Sequence, residues 1–272
     1  MTAPSALILA ADGHVSAYLA RLLDARGLAV AASDVGPAMT ALGLADSVEA
    51  VGDTLPAATA IFAIDDGSAA TDARIDAALA ALPGSSARLV HVVEAATLAE
   101  RPVARARLRD IAVARSERGL AASSVVLHRH DSRLGPADSL PARLIAQAWQ
   151  LANGGMTAPL TIADAGPCDW GWTAEYVDAI ARAAALPRPR DLIVASGHAM
   201  TAREIATHAC AWFRVDAGAA FDFATTSAEA EATAPEVAIA ATRAATGWHA
   251  TTWGRDLVRT LCEGAASRID VA

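Results

Sequence analysis

The residues best placed to do chemistry lie in a turn near the start of the chain, Ala10-x-x-Gly13-x-x-Ser16. An apolar run precedes the turn, a helical pattern follows it, and Asp34 ends the next apolar run. The full fingerprint of a dinucleotide-binding turn has three glycines, which make the tight turn, let the backbone approach a pyrophosphate and let the helix pack closely on the strand. Only the middle glycine is present, but Ala10 and Ser16 are small. We predict that the turn binds NAD or NADP, with NAD favoured because Asp34 can bind the adenine ribose hydroxyls. The alternative is an ordinary loop glycine and a solvated acid.

A second group of residues could supply a general acid or base. His128 and His130 follow a short apolar run, and Asp131 stands beside His130. Ligands of α/β proteins bind at the carboxyl ends of the strands, so these side chains are candidates for a pocket there. Glu100 is a further candidate. The competing hypothesis, which we favour, gives the two histidines a supporting or loop role.

Two residue types that proton-transfer sites often use are scarce or missing. All 22 basic residues are arginine, so the chain has no lysine, and its only tyrosines are Tyr18 and Tyr176.

The three cysteines, Cys168, Cys210 and Cys262, are far apart in sequence. We therefore expect neither a disulfide framework nor a metal site, and a reducing cytoplasm is the expected compartment.

Composition narrows the possible classes of protein. The 272 residues are 54% hydrophobic and carry a formal net charge of −8. A chain of this kind can bury a core of ordinary size, and it has no basic excess for nucleic-acid binding. No apolar stretch is long enough for a membrane span. We expect neither nucleic acid nor a membrane as a partner.

Short apolar runs alternate with helical patterns over the first half of the chain. This alternation predicts an α/β protein with a Rossmann-like, doubly wound parallel sheet and a smaller C-terminal α/β substrate lobe. We assign residues 1–135 to the dinucleotide-binding core and residues 136–272 to the lobe, interleaved with the core in one compact unit. The predicted strands are Ala6–Ala10, Leu28–Ala32, Ala60–Ile64, Leu89–Val93, Ser123–Leu127, Leu160–Ala163 and Leu192–Ala195. The predicted helices follow Gly13 as far as Gly27, then span Asp72–Leu82, Val103–Arg118, Ala142–Asn153, Thr173–Ala185, a segment from Thr201 with Glu204 as its capping partner, and Gly254–Glu263. Thr225–Ala234 is predicted to be a loop.

Several later motifs resemble those of a known family. The segment Leu127–Arg133, the motif Asp169-Trp170-Gly171, the run Ile193–Gly197 and the pair Arg203-Glu204 are similar to blocks of GDP-mannose 4,6-dehydratases. These are extended short-chain dehydrogenases of the NAD-dependent epimerase/dehydratase family, which act on nucleotide sugars. The resemblance implies an NAD(P) cofactor and a nucleotide-sugar ligand.

The same resemblance suggests roles for three residues and one helix. His130, Trp170 and Arg203 become candidate substrate contacts, although core packing is the commoner role of a tryptophan. The family pairs its subunits through the helix that corresponds to Arg101–Arg118, so the resemblance implies a homo-oligomer or a partner among active relatives. A solvated face or an anion site are the other interpretations of this arginine-rich helix.

The departures from the family concern its catalytic unit. That unit is a Tyr-x-x-x-Lys, in which the phenol exchanges a proton with the sugar hydroxyl and the lysine lowers the phenol's pKa. Near the corresponding positions stand Glu100 and Ala104, and the family's hydroxyl residue falls near Glu94. Arginine does not readily replace that lysine, because its geometry and hydration differ. Cys168 and Arg129 also replace residues of the family's substrate site.

Three hypotheses about function follow from these observations. The one we favour is a non-catalytic protein that binds a nucleotide or nucleotide sugar, or that partners an active relative. The second is an NAD(P)-dependent dehydratase, epimerase or other enzyme that uses a different acid or base, with His130, Asp131 or Glu100 as candidates. The third is an interaction module that binds no nucleotide.

Overall fold

The computed structural model describes residues 6–155, 158–163, 166–224 and 233–269. In these residues the chain forms thirteen strands and eleven helices. The strands are β1 Ala6–Leu9, β2 Val30–Ala32, β3 Val48–Ala50, β4 Ala60–Asp65, β5 Arg88–Glu94, β6 Ala122–Leu127, β7 His130–Asp131, β8 Leu160–Ala163, β9 Cys168–Asp169, β10 Gly171–Trp172, β11 Leu192–Val194, β12 Ala199–Met200 and β13 Phe221–Ala224. The helices are α1 His14–Ala25, α2 Pro37–Ala41, α3 Ala69–Ala81, α4 Ala95–Glu100, α5 Pro102–Arg118, α6 Leu140–Ala152, α7 Thr173–Ala185, α8 Ala202–Phe213, α9 Ala217–Ala220, α10 Glu236–Thr246 and α11 Gly254–Ile269.

Seven of the strands form one parallel sheet in the order β11-β6-β5-β4-β1-β2-β3. The chain moves outward from β1 in one direction to β3, and then crosses to β4 and continues in the other direction. This is a doubly wound α/β sheet, so the predicted fold class is confirmed. The direction of winding changes between β1 and β4, and the carboxyl ends of strands at such a point form the usual ligand crevice of an open α/β sheet.

Buried apolar side chains explain why these segments form the sheet. All four residues of β1 are buried, and β5 is buried from Leu89 to Val93. Strands covered on both faces read as continuous apolar runs rather than as alternating ones. Leu7 and Leu89 join Ile75 of α3 and Ile111 of α5 in one hydrophobic cluster. Ala78 of α3 and Ala114 of α5 belong to the same cluster.

The chain divides into two compact units. The first contains the described chain up to His128, together with Thr173–Val194 and Glu236–His249, and it includes the seven-stranded sheet. The second contains Arg129–Trp172, and the described parts of Ala195–Pro235 and of the chain from Ala250. In the second unit, α6, α8 and α11 pack around a core that includes Trp170 and Phe221.

Local signals account for several helix boundaries. Thr201 Oγ1 accepts the Glu204 N–H at 3.1 Å, and Glu204 Oε2 accepts the Thr201 N–H at 2.8 Å, so the predicted capping box is present at α8. The hydrogen bonds from Thr201 lower the pKa of Glu204 below its ordinary value. After the C-terminal end of α1, Gly27 has a φ of 77°. This is the left-handed conformation with which glycine commonly ends helices.

Some elements differ from the prediction. Short segments such as α2, β3 and α4 were not predicted, because three to six residues give too little periodicity to recognise. The helix α10 was not predicted either, and most of the predicted loop Thr225–Ala234 lies outside the described residues. Among the helices of the described chain, none is both long and apolar enough to cross a lipid bilayer.

Candidate functional site

The turn after β1 is held by side-chain hydroxyls. Gly13 is the N-cap of α1, and its N–H donates to Ser16 Oγ at 3.1 Å while Ser16 Oγ donates to the Gly13 carbonyl at 2.9 Å. Ser33 Oγ accepts the Ala10 N–H at 2.9 Å and donates to the Ala10 carbonyl at 2.7 Å. Ser16 therefore takes the place of the third glycine of the fingerprint and caps the helix itself.

The structure brings Ala10, Gly13 and Ser16 together in the wall of one cleft of about 140 Å³. The cleft lies at the carboxyl ends of the strands, and its wall also includes residues from the ends of β4, β5 and β6. A Cβ atom built on Gly13 meets no other heavy atom within 4 Å, so the backbone here faces open space that a side chain would fill. The space is smaller than the roughly 300 Å³ at the lower end of typical ligand pockets. A whole dinucleotide would extend beyond this space.

Two carboxylates flank this turn. Asp34 is exposed at the end of β2, as predicted, and its Oδ2 accepts the Asp12 N–H at 3.2 Å. The Asp12 side chain turns toward α2, where its Oδ2 accepts the Ala38 N–H at 2.8 Å. Its Oδ1 is buried and has no hydrogen-bond partner among the described residues. A Cβ on Gly36 would lie only 2.6 Å from the Asp12 side chain, so this close approach requires glycine.

Asp65 ends β4 at the same edge of the sheet, and its side chain is fully buried. It accepts hydrogen bonds from Arg101 at 3.1 Å, Arg107 at 3.3 Å and the Gly67 N–H at 3.0 Å, and His91 Nε2 lies 3.5 Å away. Burial alone would raise the pKa of Asp65. The His91 and Gly67 hydrogen bonds and the nearby positive charges outweigh burial and lower it.

The buried guanidinium of Arg107 links Asp65 to the helix α3. Arg107 Nη1 donates to Asp72 at 2.7 Å, and Nη2 donates to Asp76 at 3.2 Å, while only 6% of the side chain is exposed. Burial opposes the charge of Arg107, but the hydrogen bonds to Asp72 and the two carboxylate charges raise its pKa. We refer to Asp65, Asp72, Asp76, Arg101 and Arg107 as the Asp65 network.

Of the Asp65 network, Arg107 lies on the inward face of α5. The buried residues of α5 are Ala104, Arg107, Ile111 and Ala114. Glu100 is the last residue of the preceding helix α4 and is exposed, so it does not belong to this buried face. The inward face of α5 therefore carries one guanidinium and three apolar side chains. The burial of Arg107 was not predicted from the sequence, although this residue has helical spacing from Ala104 and Ile111.

In the second unit, His130 lies in β7, which pairs with β10 through Gly171. Burial lowers the pKa of His130 to about 4, so the imidazole is neutral at pH 7. Asp131 accepts the Ser132 N–H at 2.7 Å and the Ser139 hydroxyl at 2.6 Å, and Ser139 caps α6. These contacts give Asp131 a supporting role at the start of α6.

The other two predicted substrate contacts also lie in the second unit. Trp170 is 4% exposed and belongs to the hydrophobic core, and the Arg129 guanidinium lies 5.9 Å from its ring centroid. This burial supports the packing role rather than the stacking role for Trp170. Arg203 is an exposed residue of α8 whose guanidinium lies 4.3 Å from the ring centroid of Phe223.

Replacing Gly135 with alanine is expected to destabilise the protein by about 1–2 kcal/mol, within the usual range for overpacking. The new Cβ would lie 1.9 Å from Asp131 Oδ1, so the carboxylate would have to leave Ser132 and Ser139. Urea unfolding measures the change. Gly155→Ala is the control, because its Cβ would meet only a carbonyl oxygen at 3.5 Å. Equal midpoints for the two variants would contradict the close approach.

The similarity of this chain to known proteins lies in its fold. No family model matches the sequence, and no curated protein matches it. Solved structures do match. A UDP-galactose 4-epimerase is 12% identical with a TM-score of 0.71, over 97% of this chain and 99% of that one. RMD from Pseudomonas aeruginosa, solved with NADPH, is 14% identical with a TM-score of 0.71, over 97% and 99%. WbmF from Bordetella bronchiseptica, solved with NAD+ and UDP, is 14% identical with a TM-score of 0.71, over 98% and 93%.

The chain thus shares its Rossmann-like α/β fold with these solved structures, which include a UDP-galactose 4-epimerase and proteins solved with NADPH or with NAD+ and UDP. At 11–16% identity this likeness concerns the fold.

Proposed function

We propose that this protein binds an adenine dinucleotide or a nucleotide sugar without catalysing hydride transfer. One observation carries the proposal: the inward face of α5 has Arg107 among apolar residues, and the chain has no lysine. Tyr18 belongs to α1, and Tyr176 is buried in edge-to-face contact with Trp248. A phenol activated by an ammonium group is therefore missing from the sheet edge where hydride transfer would need it.

The geometry of the turn supports the binding half of the proposal. The open space beside Gly13 lies at the N-terminus of α1, where backbone N–H groups and the helix dipole favour a phosphate. Asp34 is exposed beside the turn and can accept hydrogen bonds from ribose hydroxyls. Its negative charge would repel the 2′-phosphate of NADP, so we propose NAD as the preferred dinucleotide.

The resemblance to GDP-mannose 4,6-dehydratases suggests a second ligand, its contacts and an oligomeric state. We propose a nucleotide sugar as the second ligand, with His130 and Arg203 as its contacts and Trp170 in a supporting position. We also propose a cytoplasmic protein that forms a homo-oligomer, or joins an active relative, through the helix α5. The exposed Val103 and Val113 on that helix support an interface.

A catalytic alternative would use His130, Asp131 or Glu100 as the acid or base. The low pKa of His130 makes it a weak proton acceptor at pH 7, and Asp131 is engaged by Ser132 and Ser139. General acid–base catalysis typically contributes about 10²–10⁴-fold to a rate.

We expect no oxidation of GDP-mannose or UDP-galactose by the purified protein with NAD. Ordinary enzymatic turnover, with host enzymes excluded, would overturn the non-catalytic proposal.

Replacing Gly13 with alanine tests the binding site itself. Gly13 has an extended backbone, φ −176°, and its Cβ would meet no protein atom within 4 Å, so we expect a stability loss within about 1 kcal/mol. The methyl group would instead occupy the space proposed for the diphosphate. Calorimetric titration should show NAD binding at least about 10-fold weaker than in the unmodified protein, a loss of about 1.4 kcal/mol.

Gly155→Ala serves as the matched control and should bind NAD normally. If the unmodified protein does not bind NAD, or if Gly13→Ala binds it equally well, the proposed dinucleotide site is wrong. Binding without turnover is the combination of results that the proposal requires.

A further inference from the structure

A wide cleft lies in the second unit, between the C-terminal half of α8 and the N-terminal half of α11. Its volume is about 610 Å³, within the roughly 300–1,000 Å³ of small-molecule sites. The residues from α8 and its end are His208, Trp212 and Arg214, and α11 contributes Arg255 and Arg259. None of these residues belongs to the turn and sheet edge described above.

The charge of this cleft is opposite to that of the whole protein. Three guanidinium groups face one carboxylate, Asp256, in a chain whose formal net charge is −8. Arg259 lies 3.4 Å from Asp256 and 3.9 Å from Glu263, but these are exposed pairs that contribute little. Within the described part of the chain, Arg214 and Arg255 form no ion pair. Because these positive charges lie close together and repel one another, an anion bound between them is favoured.

Two further features specify what kind of anion fits. Arg255 and Asp256 both lie in the first turn of α11, where the helix dipole favours a negative charge. Trp212 is 42% exposed and offers an aromatic surface in the wall of the same cleft. Guanidinium groups suit phosphate oxygens, and an indole suits a planar base. Arg214 has φ 59°, a conformation that favours glycine, yet this position carries a guanidinium.

We propose that this cleft is a second binding site, for a nucleoside phosphate whose phosphates contact Arg255, Arg259 and Arg214 and whose base stacks on Trp212. The site is independent of the dinucleotide turn, because all of its residues belong to the second unit.

Calorimetric titrations of ADP and inorganic pyrophosphate into the Gly13→Ala protein test the proposal, since that variant is expected to weaken binding at the other site. We expect both probes to bind. The double variant Arg255→Ala/Arg259→Ala should weaken both by at least about 10-fold, as expected for lost charge-assisted hydrogen bonds. Trp212→Leu should weaken ADP by about 10-fold and leave pyrophosphate unchanged, since only the base stacks.

Arg243→Ala is the matched control, because it removes an exposed arginine from α10, outside the cleft. It should leave both affinities unchanged, and circular dichroism should show that every variant is folded. The proposal is overturned if neither probe binds at millimolar concentration, or if the double variant binds as well as the control. It is also overturned if Trp212→Leu weakens pyrophosphate as much as ADP, because the indole would then not recognise a base.

Discussion

Replacing Arg107 with methionine is expected to destabilise the protein by about 3–5 kcal/mol, the range for removing one partner of a buried ion pair. The substitution keeps the apolar stem of the side chain but leaves the buried Asp65 with fewer compensating charges. Asp72 and Asp76 would lose the same guanidinium. The free energy of unfolding in urea measures the change.

Arg109→Met is the control for this prediction, since Arg109 is an exposed residue of the same helix and should change stability by less than about 0.5 kcal/mol. The double variant Asp65→Asn/Arg107→Met should lose less than the sum of the two single variants, because the uncompensated charge is removed as well. Equal effects of Arg107→Met and Arg109→Met would contradict the Asp65 network.

Lowering the pH from about 6.5 to about 4 is expected to cost the protein up to about 3 kcal/mol through His130 alone. Burial places the pKa of His130 at about 4 in the folded protein, against an ordinary value of 6.5. The unfolded chain therefore binds a proton in this range before the folded chain does. The stabilisation is fully present above pH 6.5 and is lost as the pH falls toward 4. The magnitude follows from the difference between a pKa of 6.5 in the unfolded chain and one of about 4 in the folded protein, at about 1.36 kcal/mol per pH unit.

Urea unfolding between pH 7.5 and 4.5 measures this effect. His130→Gln should flatten the dependence of stability on pH in that window, whatever its effect on stability at pH 7.5. His249→Gln, which removes an exposed histidine, should keep the original slope. Asp65 and Asp72, whose pKa values are lowered, lose their contribution only below about pH 4, so the two windows are separate. An unchanged slope in His130→Gln would contradict the assignment.

The sequence predicts the sheet well because its strands are covered on both faces. Apolar runs such as Leu89–Val93 have few structural alternatives once helical patterns stand between them. The bounds of β8 and α7 agree with the prediction to the residue. The position of the turn was also predicted, because Gly13 and Asp34 are recognised from the local order of strand, turn and helix.

The ion pairs could not be predicted in the same way. Asp65 and Arg107 are 42 residues apart, and which charges meet depends on how β4, α3 and α5 pack. For the arginine-rich helix, the sequence left three interpretations open, namely a solvated face, an anion site and a subunit interface. The alternation of apolar runs and helical patterns does not distinguish between them. The helical spacing of Arg107 with Ile111 was the one local signal that this arginine points inward.

The hydroxyl of Ser16 has a consequence for the ligand-free protein. It already accepts the Gly13 N–H, which in a glycine-rich turn would wait for a phosphate oxygen. This one N–H at the start of the first helix therefore has a partner in the absence of a ligand. If a diphosphate binds at this turn, as we propose, it competes with the Ser16 hydroxyl for the Gly13 N–H, which offsets part of the free energy of that contact.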